Sequence, residues 1–127
     1  NYEGKAKAAL KSLEDKDFVF VHVEAPDEAG HNGDLREKIL AIERFDQYVV
    51  GKILDVFKKK KNFRILVLPD HATPISLRTH VSDEVCFGIF GKDITGRGFL
   101  EYSEKEALKS DLFFEQGHEL MDYLIKS

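Results

Sequence analysis

The sequence predicts an α/β fold: a mixed, mostly parallel sheet flanked by helices, built as a single domain over residues 1–127. Three observations predict it. Residues 18–24 and 63–68 are short apolar runs with little alternation, the pattern of strands inside a sheet covered on both faces. Between them Ile39, Ile42, Phe45, Val49 and Ile53 step by three and four, one apolar face of a long helix. Strand, helix, strand with buried strands implies a right-handed parallel crossover.

Each element has a local reason. Residues 4–14 are rich in helix formers, with Ala6, Ala9, Leu10 and Leu13 at helical spacing. Residues 18–24 then carry β-branched and aromatic side chains, and His22 within them is expected to be a hydrogen-bonded core residue or a support behind the site rather than a ligand. Residues 25–33 read as turn chemistry, with Pro26 suited to the first position of a short helical turn and Gly30 to its exit. Asp34 and Glu37 form a capping box for the long helix, and Lys58 to Lys61 close it where the helix dipole favours cations.

Residues 63–68 give the second strand, stopped by Pro69. A polar loop from Asp70 to Glu84 leads to a third strand at 85–90. No helix separates these two strands, so the third is expected to run antiparallel to the second. Cys86 within it is expected to be a small buried hydrophobe. Ser103 and Glu106 suggest another cap, and a last amphipathic helix places Leu120, Met121, Leu124 and Ile125 on one side. His118 beside it is expected at the surface.

Composition excludes several classes. With 43% hydrophobic and 33% charged residues, disordered, collagen-like and coiled-coil chains are ruled out. The net charge of −4 argues against a broad grip on nucleic acid, and the lysine run is read as a solvated helix end. No apolar run approaches the roughly 18 residues of a membrane span. The single cysteine cannot build an internal disulfide framework and suits a reducing cytoplasm. The first residue is Asn1 rather than methionine, as expected of a processed chain or a piece of a longer one.

Ligands in α/β sheets bind beyond the carboxyl ends of the strands. Asp27 with His31, and Asp70 with His71, fall there, and an antiparallel third strand brings His80 back to the same edge. An i, i+4 spacing puts Asp27 and His31 on one side of a helical turn, where a carboxylate and an imidazole can share a divalent metal. Each residue alone has a plainer reading, a turn-capping aspartate or a surface histidine. Together they make five oxygen and nitrogen ligands, more than one four-coordinate zinc takes, so two metals fit, zinc, manganese or cobalt rather than calcium. Thr73, Ser76, Ser82 and Arg78 are polar loop residues nearby, Arg78 being a candidate contact for an anionic substrate.

The residues 22–31 (HVEAPDEAGH), followed by 70–74 (DHATP) and Thr79-His80, resemble the archaeal-type cofactor-independent phosphoglycerate mutases of the alkaline phosphatase superfamily. The likeness runs over most of the chain. It implies an alkaline-phosphatase-like partial domain, the C-terminal part of a metal-dependent catalytic domain. It also implies that Asp27, His31 and His80 bind one metal, and Asp70 and His71 another. The family interconverts 2-phosphoglycerate and 3-phosphoglycerate in glycolysis and gluconeogenesis through a phosphoserine, without added bisphosphate.

The resemblance also says what is missing. The nucleophilic serine and a further aspartate ligand are expected upstream of this chain, so no catalytic nucleophile is assigned here and the isolated piece is expected to be inactive. An uncovered sheet edge is expected to favour self-association. The alternatives are another phosphomutase or phosphatase of the superfamily, or a non-catalytic metal-binding module.

Overall fold

A computed structural model of the chain describes residues 1–98 and 101–126. They form two compact units: Asn1–Lys60 with Thr73–Val81, and Lys61–Ala72 with the chain from Ser82 onward.

The first unit is helical. Helix α1 (Tyr2–Ser12) is capped by Asn1, whose side chain accepts from the Gly4 amide, and it buries Ala6 and Ala9. Helix α2 (Ala25–Asn32) takes the place of the expected turn. Pro26 lies in its first turn, where its fixed φ is already helical. Its exit is Gly33, not Gly30, with φ +68 in the left-handed region that favours glycine. Helix α3 (Leu35–Phe45) begins where Asp34 accepts from the Glu37 amide at 2.9 Å, so the expected cap is formed.

The long helix continues through a π-helical turn (Asp46–Val50) into α4 (Gly51–Phe57). That turn rotates the apolar stripe by an extra residue and sinks Val49, 2% exposed, against α1. Helices α2 and α3 pack on each other and bury Ala29 and Ala41.

Residues 18–24 depart from expectation. They carry no strand pairing, and their side chains alternate between half-buried and exposed, with Phe20 71% exposed. A strand exists through its ladder partners, and a propensity for extended backbone supplies none. His22 is accordingly exposed, stacked on Phe20 at 6.2 Å and 4.0 Å from Glu24, rather than a core residue.

The second unit holds the sheet. Strand β1 (Arg64–Val67) pairs with β2 (Gly88–Gly91) in antiparallel register, Arg64 opposite Gly91 and Val67 opposite Gly88. The antiparallel expectation for this pair is met. The mixed helix-and-strand class is met too, although this ladder, the one found among the described residues, is antiparallel where most pairs were expected parallel. Strand β2, the expected third strand, starts three residues later than expected, because the Cys86 carbonyl accepts from the Tyr102 hydroxyl at 2.9 Å instead of joining a ladder. Cys86 is half-buried and outside any strand.

Helix α5 (Glu104–Ala107) is capped by Ser103, which accepts from Glu106. Helix α6 (Glu119–Ile125) buries Leu120 and packs on β1, while Met121 and Ile125 of its expected apolar side are exposed. Arg64 closes that helix, its Nη1 donating to the carbonyls of Leu124 at 3.0 Å and Lys126 at 2.9 Å, oxygens that a helix end otherwise leaves unpaired. His118 precedes α6 and is exposed, as expected. Among the described residues no helix is long and apolar enough to cross a membrane.

Candidate metal centre

Pro26 and Gly33 bracket α2 so that Asp27 and His31 sit one turn apart on the same side of a real helix. Their facing atoms, Asp27 Oδ2 and His31 Nε2, are 3.5 Å apart. His80 arrives from the 73–81 segment of the same unit. Its Nε2 lies 3.0 Å from His31 Nε2 and 3.3 Å from Asp27 Oδ1. One carboxylate and two imidazoles thus converge within a single unit.

The other edge of His31 decides what this convergence can do. Its Nδ1 is 3.0 Å from the main-chain carbonyl of Arg78. A carbonyl only accepts, so Nδ1 carries the hydrogen and Nε2 is the ring atom turned toward His80 and Asp27. Arg78 delivers that carbonyl from a left-handed backbone, φ +55, uncommon for a residue with a side chain. Opposite it, a Cβ on Gly33 would run into the Arg78 guanidinium.

The donor set fits a divalent cation. Ligand atoms about 2.0 Å from a tetrahedral ion stand about 3.3 Å from each other. The separations here bracket that figure: 3.0 Å between the two imidazole nitrogens, 3.3 Å from His80 to Asp27 Oδ1 and 3.5 Å from His31 to Asp27 Oδ2. Lone pairs gathered this closely repel unless a proton or a cation lies among them. Side-chain exposures of 34% for Asp27 and 51% for His80 leave the cluster open to solvent.

Asp70 and His71 belong to the second unit. His71 Nε2 is 3.5 Å from Asp70 Oδ2, and the His71 amide donates to Asp70 Oδ1 at 3.2 Å. Of the five sequence-predicted ligands, Asp27, His31 and His80 belong to the first unit and Asp70 and His71 to the second. The side chain of Arg97, in a glycine-flanked loop, is taken up by Asp111 at 2.7 Å.

Three residues matter more than their sequence pattern suggests. Thr73, 5% exposed, donates its hydroxyl to Asp27 Oδ1 at 2.5 Å. Its carbonyl accepts from Lys38 Nζ of α3 at 2.6 Å. Gly30 lets the two segments close, since a Cβ there would lie 2.7 Å from the Thr73 carbonyl oxygen. Thr73 reads in the sequence only as a polar loop residue, and no sequence pattern singles out Lys38.

A family described as the metalloenzyme superfamily matches residues 1–126. The chain is 47% identical over 126 residues, 98% of its length, to a probable 2,3-bisphosphoglycerate-independent phosphoglycerate mutase of Geobacter sulfurreducens, covering 32% of that protein. It is 46% identical over 128 residues, 99% of its length, to a 2,3-bisphosphoglycerate-independent phosphoglycerate mutase of Methanosarcina acetivorans, again covering 32% of it. The chain thus spans about a third of the curated relatives it matches. The solved structure of the PH0037 protein from Pyrococcus horikoshii is similar with a TM-score of 0.93 and 34% identity, over 98% of this chain and 37% of that one.

Proposed function

The chain belongs to the metalloenzyme superfamily, and on that premise we propose that it is the C-terminal part of the catalytic domain of a cofactor-independent phosphoglycerate mutase. The observation that carries the proposal is the convergence of Asp27, His31 and His80 in a chain 47% identical to a protein so named. In this reading Asp27, His31 and His80 hold one divalent ion and Asp70 and His71 help hold a second, manganese, zinc or cobalt. What supports the second pair is its place in the chain, three and two residues ahead of Thr73, which is bonded to Asp27.

Bound there, the ions supply positive charge to a transferring phosphoryl group and lower the proton affinity of a serine hydroxyl. The chain's own part is to bind and orient. The Arg78 carbonyl fixes the His31 tautomer, and Asp27 brings negative charge that offsets part of the ionic charge. Arg78 is the candidate contact for the anionic phosphoglycerate. The nucleophilic serine belongs to a segment outside these residues, so the chain alone turns nothing over. In this reading the reaction belongs to cytoplasmic glycolysis and gluconeogenesis.

A chimera tests this reading. Residues 1–127 replace the matching third of the Geobacter sulfurreducens relative, and phosphorus NMR follows 2-phosphoglycerate. The proposal expects conversion to 3-phosphoglycerate, lost by at least about a thousandfold in the His31→Ala chimera. Release of inorganic phosphate with no 3-phosphoglycerate would support a phosphatase instead.

A further inference from the structure

We infer that Thr73 is a positioning residue for Asp27, and that Lys38 and Gly30 hold Thr73 in that role. The inference deepens the metal site proposed above and rests on it.

A carboxylate that ligates a metal needs one oxygen turned to the ion and a partner that stops the group from rotating. A carboxylate has about four lone-pair sites. The Thr73 hydroxyl, at 2.5 Å, takes one on Oδ1. His80 lies 3.3 Å from the same Oδ1, and His31 3.5 Å from Oδ2. Thr73 is buried at 5% exposure, so its hydroxyl hydrogen is directed within the protein and not averaged over water.

The backbone of Thr73 is held as firmly as its side chain. The Lys38 ammonium donates to its carbonyl at 2.6 Å, a charge-assisted bond from α3. On the α2 side, Gly30 presents a bare Cα, and any Cβ there would meet the Thr73 carbonyl oxygen at 2.7 Å and Cγ2 at 3.0 Å. One residue thus joins the helix that carries Asp27 and His31, the neighbouring helix, and the segment that carries His80. Displacing it would release Asp27 while leaving every proposed ligand in the chain.

The test compares Thr73→Val, which keeps the shape and removes the hydroxyl, with Thr73→Ser, which keeps the hydroxyl. Manganese binding is measured by calorimetry, and three-bond NMR couplings report whether Asp27 holds one χ1 rotamer in metal-free protein. The expected result is a manganese dissociation constant about tenfold to a hundredfold weaker in Thr73→Val, with Asp27 averaged among rotamers. Thr73→Ser should stay within about threefold of the unsubstituted protein and keep a single rotamer. Thr73→Val indistinguishable from the unsubstituted protein in either measurement would overturn the inference, as would equal losses in both variants. Should the unsubstituted protein take up no manganese, the metal-site reading fails, and the Asp27 couplings alone decide whether Thr73 positions it.

Discussion

The Nδ1 atom of His31 lies 3.0 Å from the main-chain carbonyl of Arg78, and that contact turns the ring's other nitrogen toward His80 and Asp27. The holding group is backbone, so the side chain at position 78 matters to it chiefly through the φ it permits. Arg78 at φ +55 stores a small strain that glycine would not carry.

Arg78→Gly should therefore leave metal affinity unchanged and the melting temperature within a few degrees, because relieved strain and added unfolded-state entropy nearly cancel. Arg78→Val resists the left-handed region and should lose about 1–2 kcal/mol of stability together with metal affinity. Urea unfolding and manganese titration of the two variants check this. Equal behaviour would mean that the Arg78 conformation does not hold His31.

Gly30→Ala should weaken the first unit despite alanine's better helix propensity. The added methyl meets the Thr73 carbonyl oxygen at 2.7 Å, a fixed backbone atom, so the 73–81 segment must shift. Overpacking of this kind costs about 1–3 kcal/mol against about 1 kcal/mol gained from propensity. Urea unfolding should show a net loss, with weaker manganese binding. A net gain in stability would show that the contact can relax.

Asp111 is drawn below the ordinary carboxylate value of 3.8, first by its hydrogen bond from Arg97 and then by the charge of that guanidinium. A depressed carboxylate contributes stability above its unfolded value, and that contribution is lost as pH falls through the lowered one. Melting curves below pH 4 should fall more steeply for the unsubstituted protein than for Asp111→Asn, and the gap should shrink in high salt because the pair is exposed.

Apolar side chains on α3 are uncovered: Leu35 is 61% exposed, Ile39 48% and Ile42 50%. With Phe20 also open, self-association of the chain is the expected outcome. Sedimentation at increasing protein concentration should show a rising mean mass, and Ile39→Lys should reduce it. A constant monomer mass would contradict this.

Much of the candidate site was legible before any coordinates, and the reasons are specific. Asp27 and His31 stand four residues apart between a proline and a glycine, and such spacing survives any detail of the helix that carries it. The antiparallel return of β2 on β1 was legible from the lack of a helix between them, whereas it is the 73–81 segment of the first unit that carries His80 to Asp27 and His31. Residues 18–24 form no strand because apolar, β-branched composition reports a preference, whereas a ladder needs a neighbour. The parts of Thr73, Gly30 and Lys38 were hidden because they depend on backbone approach across α2, α3 and the 73–81 segment. Arg64 was hidden likewise, since capping α6 joins residues about 60 positions apart, a pairing no local pattern encodes.

The central claim is that Asp27, His31 and His80 share one divalent ion. Manganese titration calorimetry on the unsubstituted protein and His80→Ala tests it most directly. The account predicts that His80→Ala loses one binding event, or weakens it by at least about a hundredfold, while Asp70→Asn spares that event and weakens a second one. Identical isotherms for the unsubstituted protein and His80→Ala would contradict it.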